Sequence, residues 1–212
     1  MTPGFRAVLF DWDGTLVNSA DRTFHCYRHV FSGFAIPFDR ARFEETYSPD
    51  WRRTYRAVGL PPEHWPTADA RWIDCYESTR SALVPGTADA LARIRERRLL
   101  LGIVSSGDGR RVRRELATLG LDAYFAAVVC GGDTERGKPD PEPLLVALGR
   151  LGLPAAEAAY VGDSPEDVWM ARAAGVFSVG IPGGFPNREA LVASAPDLLA
   201  PSLPAAIERI VA

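Results

Sequence analysis

The chain has 212 residues, of which 47% are hydrophobic and 24% are charged, and its formal net charge is −3. This length and composition are typical of a globular protein with one large domain, or with one domain that carries an insert. The negative charge argues against nucleic acid and against an anionic membrane as partners, because both attract basic surfaces.

The first predicted element is a short buried strand at residues 7–10, and two aspartates, Asp11 and Asp13, follow it directly. Gly14 and Thr15 then turn the backbone. In an open α/β sheet, ligands bind at the carboxyl ends of the strands. Two carboxylates this close repel each other unless a cation lies between them, and Mg²⁺ binds through one or two carboxylates plus substrate phosphate oxygens. An Asp-x-Asp-Gly sequence also occurs in calcium loops and in ordinary turns, so the motif alone leaves these alternatives open.

Residues 17–83 lack a clear strand pattern, and their periodicity predicts helices instead. The predicted helices span residues 20–31, 40–45, 51–58 and 68–81. We therefore expect a helical insert after the first strand. Within the stretch 47–56, Arg52, Arg53 and Arg56 are candidates to bind a carboxylate or a phosphate group through a bidentate fork. For each arginine taken alone, a solvated helix face is the simpler explanation.

From residue 84 onward, short apolar runs alternate with segments of helical periodicity. The predicted strands span residues 99–104, 126–130, 158–161 and 177–179, and the predicted helices span 87–97, 110–119, 143–151 and 165–174. This alternation indicates βαβ units and a parallel sheet, and the right-handed crossover rule places helices on both faces.

Two polar segments follow these predicted strands. Ser105 and Ser106 come after the strand that ends at residue 104, where hydroxyl and backbone N–H groups can hold a phosphate oxygen. A helix N-cap is the plain alternative for these residues. Lys138 lies in the stiff loop Gly-Lys-Pro-Asp-Pro, from which its charge could neutralise a phosphate and nearby carboxylates. A solvated loop lysine would have the same sequence signature.

A third segment, Gly-Asp-Ser-Pro-Glu-Asp at residues 162–167, follows another predicted strand. Asp163 and Asp167 are four residues apart at a helix start, so both can face the same point. Acidic residues also suit a helix N-terminus, which explains one of these aspartates more readily than both. The arginines on the neighbouring predicted helix are interpreted as a solvated face; they are Arg110, Arg111, Arg113 and Arg114.

The three cysteines, Cys26, Cys75 and Cys130, are widely spaced and form no CxxC pair. This pattern predicts reduced, buried thiols in a cytoplasmic protein. No signal peptide and no run of about 20 apolar residues is recognisable, so we expect no membrane segment.

Together, the four polar segments resemble the haloacid dehalogenase superfamily of phosphatases, in which they occur in the same order. The segments are Asp-Trp-Asp-Gly-Thr at 11–15, the hydroxyl of Ser105, Lys138 in Lys-Pro-Asp-Pro-Glu-Pro, and Gly-Asp-Ser-Pro-Glu-Asp at 162–167. The tail from 183 to 197 is similar to the phosphoglycolate-phosphatase-like branch. The resemblance implies an α/β fold with a Rossmann-like parallel sheet core at 1–16 and 84–212, helices on both faces, and a small α-helical cap domain at 17–83.

The resemblance also implies a phosphoric monoester hydrolase that uses Mg²⁺ on a small phosphorylated metabolite. Asp11 would attack phosphorus and become an aspartyl phosphate, while Asp13 would protonate the leaving alcohol and then deprotonate the attacking water. The implied metal ligands are Asp11, Asp13 (which also offers its backbone carbonyl) and Asp163, with Asp167 bound through water or contacting one of these ligands. The implied phosphate-binding groups are Gly14, Thr15, Ser105, Ser106 and Lys138.

Asp13 favours phosphate ester chemistry, because the related dehalogenases lack an acid at that position. A sugar-phosphate mutase of the same family would use the same two aspartates and stays open as an alternative. A non-catalytic regulatory protein is a third hypothesis, which the intact motifs disfavour. The sequence leaves the identity of the ester open, and a monomer or a homodimer is expected.

Overall fold

The structure is a computed structural model that describes residues 4–48 and 51–212. These residues form two compact units. An α/β unit contains the described residues up to Asn18, together with Ser81–Gly183 and Asn187–Ala212, and a helical unit contains Ser19–Arg80 and Gly184–Pro186. The assignment of 17–83 as a cap stays a prediction.

The described part of the α/β unit contains one six-stranded sheet in the order β3-β2-β1-β4-β5-β6, and every pairing is parallel. The strands are β1 (Ala7–Phe10), β2 (Leu100–Asp108), β3 (Ala127–Gly131), β4 (Ala158–Gly162), β5 (Phe177–Gly180) and β6 (Leu198–Leu199). The strand order reverses on the two sides of β1, which lies between β2 and β4. The carboxyl end of β1 is therefore the topological switch point, where open α/β sheets bind their ligands.

Ten α-helices occur in the described residues. They are α1 (Ala20–Ser32), α2 (Arg40–Thr46), α3 (Trp51–Ala57), α4 (Trp65–Ser78), α5 (Thr87–Glu96), α6 (Gly109–Thr118), α7 (Glu142–Leu151), α8 (Pro165–Ala174), α9 (Arg188–Ala193) and α10 (Leu203–Val211). None of the helices in 4–48 and 51–212 combines the length and the apolar character that a bilayer-spanning segment needs.

Both faces of the sheet are covered by helices, as the sequence predicts. Val8 and Phe10 of β1 pack in one core with apolar side chains of α5, α6 and α10. The alternate residues Ala7 and Leu9 pack in a second core with side chains of α7 and α8. This two-sided burial explains why β1 is a continuous apolar run. The predicted α/β fold with a parallel sheet is confirmed.

Two predicted elements are shifted in the structure. The strand predicted at 99–104 continues to Asp108, because its pairing with β3 resumes after an irregularity, with Asp108 opposite Gly131. Ser105 and Ser106 therefore lie within the irregular end of β2 and not after it. The helix predicted at 68–81 begins at Trp65 and ends at Ser78. Its early start follows from Pro66, since proline is favoured in the first turn of a helix.

The helical unit has a core of its own, which is rich in aromatic side chains. The buried aromatic residues of this core are Phe24, Tyr27, Phe31, Phe38, Phe43 and Tyr55. Within the unit, Cys26 of α1 and Cys75 of α4 form a disulfide, with their Cα atoms 5.6 Å apart. The prediction of reduced thiols is therefore wrong for these two residues. The close packing of α1 and α4 joins cysteines that are 49 positions apart in sequence, whereas Cys130 is a buried free thiol.

Candidate active site

Adjacent strands bring Asp11 and Asp163 to the same edge of the sheet. Phe10 at the end of β1 lies opposite Val161 of β4, and the backbone N–H of Asp11 donates to the Val161 carbonyl oxygen at 2.9 Å. Each strand thus delivers its aspartate one or two residues after the paired positions. Gly14 then has φ of +86°, a backbone conformation that glycine adopts without strain, and this residue turns the chain away from the site.

Three buried carboxylates meet at this edge. Asp11, Asp163 and Asp167 each offer an oxygen, and these oxygens lie within 4.8 Å of one another. Lys138 Nζ donates to Asp11 Oδ1 at 2.6 Å and to Asp167 Oδ1 at 2.7 Å. Lys138 pairs with two of the three carboxylates, so the buried cluster carries an excess of negative charge when all three are ionised. Such an excess is costly without a further cation.

An orphaned oxygen shows where a cation would fit. Asp163 Oδ2 is buried and accepts no hydrogen bond from any residue that the structure describes. A Cβ atom built on Gly183 would lie only 1.8 Å from Asp163 Oδ2. The Asp163 carboxylate can therefore adopt this position only because residue 183 has no side chain. A set of carboxylate oxygens with a free acceptor suits a hard divalent cation such as Mg²⁺. The described residues therefore fit the metal that the sequence predicts.

Asp167 has a second, structural task. Its Oδ2 accepts hydrogen bonds from the backbone N–H of Asp163 at 3.2 Å and from the backbone N–H of Ser164 at 3.0 Å. Ser164 in turn caps α8 by accepting from the Asp167 backbone N–H, which completes a capping box. The other carboxylate oxygen of Asp167, Oδ1, accepts from Tyr160 Oη at 3.1 Å and from Lys138 Nζ at 2.7 Å. The helix-capping explanation and the shared-site explanation of Asp167 are thus compatible.

The pKa values of Asp11 and Asp163 are raised in this cluster. Burial, together with the charge of Asp167, raises the pKa of Asp11 from 3.8 to about 7 although Lys138 opposes the shift. Burial and the charges of Asp11 and Asp167 raise the pKa of Asp163 well above its ordinary value. Burial lowers the pKa of Lys138, but the two carboxylates outweigh it and hold that pKa above its ordinary value. A bound divalent cation would replace protons at this site.

We expect Mg²⁺ to stabilise the protein more at about pH 8 than at about pH 6. Between the ordinary pKa of Asp11, 3.8, and its folded value of about 7, the folded state binds a proton that the unfolded chain has lost. The free energy of unfolding of the metal-free protein therefore falls as pH rises through this window. Mg²⁺ relieves the repulsion that appears once the proton is gone. Melting temperatures with Mg²⁺ and with EDTA at both pH values test this, and an equal shift at both would contradict it.

We expect Gly183→Ala to weaken Mg²⁺ binding by about tenfold or more, since one displaced ligand is worth a factor of this order. The added Cβ would clash with the Asp163 carboxylate. Gly149→Ala is the matched control, because a Cβ at Gly149 in α7 meets nothing within 4 Å. Calorimetric titration with Mg²⁺ measures both variants, and wild-type affinity in Gly183→Ala would show that Asp163 binds no ion.

Asp13 faces a different neighbour. Its carboxylate is not among the three clustered carboxylates and instead forms an ion pair with both terminal nitrogens of Arg111. Arg111 also donates to Glu115 at 3.1 Å. The interpretation of residue 111 as part of a solvated helix face is therefore wrong, because only 16% of the Arg111 side chain is exposed. The sequence carries one signal of this burial. Arg111 and Glu115 are four residues apart, which is ion-pair spacing on a helix, and each directly precedes an apolar residue of α6.

Of the predicted phosphate-binding groups other than Lys138, Gly14 and Thr15 follow β1, and Ser105 and Ser106 lie at the carboxyl end of β2. The Gly14 backbone N–H donates to the Val17 carbonyl oxygen at 2.8 Å, so the prediction that it binds phosphate is wrong. Ser105 is buried, and its Oγ accepts from the backbone N–H of Gly107 at 3.0 Å, while Ser106 is exposed. Thr15 is fully buried, and its Oγ1 has no hydrogen-bond partner among the described residues.

The three candidate arginines of the helical unit lie on α3. Arg52, Arg53 and Arg56 are exposed. The guanidinium of Arg56 lies 5.2 Å from the ring centre of Trp65, in the range of a cation–π contact. Pro49 and Asp50, which belong to the predicted substrate-binding stretch, lie outside the described residues.

Known proteins resemble this chain along most of its length. Residues 8–181 match the family described as haloacid dehalogenase-like hydrolase. The chain is 31% identical to a phosphoglycolate phosphatase of Salmonella typhimurium, over 92% of this chain and 88% of the relative. It is 34% identical to a phosphoglycolate phosphatase of Synechococcus elongatus, over 92% of each chain.

A solved structure shows the same fold. The crystal structure of a predicted phosphoglycolate phosphatase from Haemophilus somnus matches with a TM-score of 0.86 at 22% identity, over 99% of each chain. The sequence match, the two curated relatives and the clustered aspartates agree with one another. This chain therefore belongs to the haloacid dehalogenase-like hydrolase family, and within it to the phosphoric monoester hydrolases.

Proposed function

We propose that the protein hydrolyses a small phosphate monoester with the help of Mg²⁺, through a phosphorylated Asp11. The buried group of Asp11, Asp163, Asp167 and Lys138 at the switch point of the sheet carries this proposal. It supplies a carboxylate nucleophile, acidic ligands for a hard cation and a fixed positive charge in one place. Phosphoryl transfer needs little more than such positioning and charge neutralisation.

The reaction divides into two displacements. In the first, a carboxylate oxygen of Asp11 forms a bond to phosphorus while the bond from phosphorus to the ester oxygen breaks, and Asp13 gives its proton to the departing alcohol. In the second, Asp13 takes a proton from water, whose oxygen bonds to phosphorus as the bond to Asp11 breaks. The products are an alcohol and inorganic phosphate.

Asp11 and Asp163, with the backbone carbonyl at Asp13, would hold Mg²⁺ directly and Asp167 would hold it through water; the ion would supply positive charge beside the transferring phosphoryl group. Lys138, whose Nζ donates to Asp11 Oδ1 at 2.6 Å, adds a second positive charge. We assign the remaining phosphoryl oxygens to the Ser105 hydroxyl, to Ser106 and to the backbone N–H of Thr15, but not to the Gly14 N–H, which donates to the Val17 carbonyl oxygen.

We further propose that the substrate carries a second anionic group next to its phosphate, as 2-phosphoglycolate does. The similarity to two phosphoglycolate phosphatases supports this class. Arg52, Arg53 and Arg56 supply positive charge in the predicted cap for such a group. The enzyme is proposed to act as a monomer or a homodimer, without nucleic acid or membrane. A cytoplasmic location stays a prediction, and the Cys26–Cys75 disulfide removes one of the observations on which it rested.

Phosphate release from a panel of monoesters, with Mg²⁺ and with EDTA, tests the proposal. The panel contains 2-phosphoglycolate, sugar phosphates, nucleotides and pyrophosphate. We expect release that depends on Mg²⁺ and is fastest for one class of ester. Isomerisation of a sugar phosphate without release of phosphate would favour the mutase instead, and neither reaction would favour a non-catalytic protein.

A further inference from the structure

Arg111 forms a bidentate ion pair with the carboxylate of Asp13. Its Nη1 donates to Asp13 Oδ1 at 3.1 Å, and its Nη2 donates to Asp13 Oδ2. Only 16% of the Arg111 side chain and 27% of the Asp13 side chain are exposed. A guanidinium that meets both oxygens of a carboxylate fixes its plane as well as its position, which a lysine would not do. The pair is therefore unlike an exposed ion pair, which contributes little.

Glu115 holds Arg111 in place from one helical turn further along α6. Its side chain is 6% exposed, and its Oε2 accepts from Arg111 Nη1 at 3.1 Å and from Trp12 Nε1 at 2.8 Å. Its other oxygen, Oε1, accepts from Ser81 Oγ at 2.8 Å. Trp12 is fully buried and directly precedes Asp13 in the chain. Two residues of α6 thus fix two consecutive residues of the loop that carries the nucleophile.

The lack of a side chain at Gly107 leaves room for the Arg111 guanidinium. A Cβ atom built on Gly107 would lie 2.1 Å from Arg111 Nη2 and 3.2 Å from Ser105 Oγ. A side chain at position 107 would therefore push the guanidinium away from its present place. The guanidinium of Arg111 therefore lies near the Ser105 hydroxyl, which is assigned to the phosphoryl group, and contacts Asp13.

The contact separates two kinds of carboxylate that lie only two residues apart. Asp11 joins Asp163 and Asp167 in the candidate metal cluster, whereas each oxygen of Asp13 contacts Arg111. A carboxylate bound to a metal ion would lose its freedom to reach the leaving oxygen, while a carboxylate paired with a guanidinium keeps a further lone pair on each oxygen for a proton. We propose that Arg111, held by Glu115, is a positioning residue that keeps the Asp13 carboxylate out of the metal site and directed toward the ester oxygen. The proposal rests on the proposed acid–base role of Asp13.

The leaving group provides a selective test. An alkyl alcohol needs a proton as it departs, whereas 4-nitrophenolate departs without one, and kcat/KM reports the step in which the leaving group is lost. For Arg111→Gln, we expect kcat/KM to fall by about 10- to 100-fold with the best alkyl ester of the panel, and by less than about threefold with 4-nitrophenyl phosphate, because acid catalysis contributes about 10²–10⁴ in rate. Arg111→Lys should recover only part of the loss, since it restores the charge but not the fork.

Arg110→Gln is the matched control, because Arg110 is an exposed neighbour on the same helix, and we expect it to change neither rate. Glu115→Gln keeps the shape of its side chain and should show the same selective loss in weaker form, which covers the case of an Arg111 variant that does not fold. An equal fall with both esters, no fall, or a gain with the alkyl ester would overturn the proposal. If Asp11→Asn retains activity, the proposed function itself fails; if only the selectivity is missing, the inference about Arg111 fails alone.

Discussion

Asp11→Asn is expected to abolish turnover, with a loss in kcat of about 10⁴-fold or more, because it removes the covalent route. The amide is nearly isosteric with the carboxylate but is a poor nucleophile toward phosphorus. The fold should survive, since the amide oxygen can still accept from Lys138 and the substitution removes one of three clustered buried carboxylates. We expect the metal-free variant to melt at a temperature equal to or above that of the metal-free wild type.

Asp122→Asn is a matched control for this change, because Asp122 is exposed and lies outside the site. It should leave turnover unchanged. Activity is measured as phosphate release at saturating Mg²⁺, together with the melting temperature of each variant. Turnover near the wild-type rate in Asp11→Asn would exclude Asp11 as the nucleophile, and a collapsed melting temperature would mean that its main contribution is structural.

Asp13→Asn is expected to lower kcat by about 10²–10⁴-fold, the usual contribution of a general acid and base. The variant keeps the nucleophile and the three clustered carboxylates but has no proton to give and no base for water. With 4-nitrophenyl phosphate, the first displacement needs little proton help, so it should stay fast while the second becomes slow. We therefore predict a burst of about one nitrophenolate per active site, followed by a slow steady state.

Rapid mixing with 4-nitrophenyl phosphate reveals the burst directly. The wild type, in which both steps proceed, serves as the reference. A normal steady-state rate in Asp13→Asn would contradict the acid–base role of Asp13. A uniform slowing without any burst would instead indicate that the variant damages the first displacement, as a misplaced loop would.

The regular part of the α/β unit was predictable from the sequence because its signals are local. The apolar run at Ala7–Phe10 and the helix at Pro165–Ala174 lie where they were expected. The helix α8 is preceded by a capping serine, begins with a proline and ends at Gly175 with φ of +72°. Its two ends are therefore predictable from residues at or next to them. The meeting of Asp11 with Asp163 also follows from general rules, since parallel strands end at the same edge.

Contacts that depend on tertiary packing were not predictable in this way. Arg111 looks like its neighbours in a basic helix, and only the packing of α6 against the loop after β1 brings it to Asp13, 98 positions away. The disulfide of Cys26 with Cys75 likewise depends on how α1 and α4 pack. Spacing in the sequence carries no information on either contact. The irregular end of β2 was missed because its later residues, from Ser105 to Asp108, are polar or glycine while the pairing with β3 continues.

The most direct test of the account is chemical trapping of the phosphorylated aspartate. Asp13→Asn is mixed with 4-nitrophenyl phosphate and Mg²⁺, quenched with acid, and treated with borohydride, which reduces an aspartyl phosphate to homoserine. We predict that peptide mass spectrometry will find homoserine at position 11, at a level that follows the nitrophenolate burst, and none in Asp11→Asn. Release of nitrophenolate with Asp11 unmodified, or modification of another residue in its place, would contradict the account.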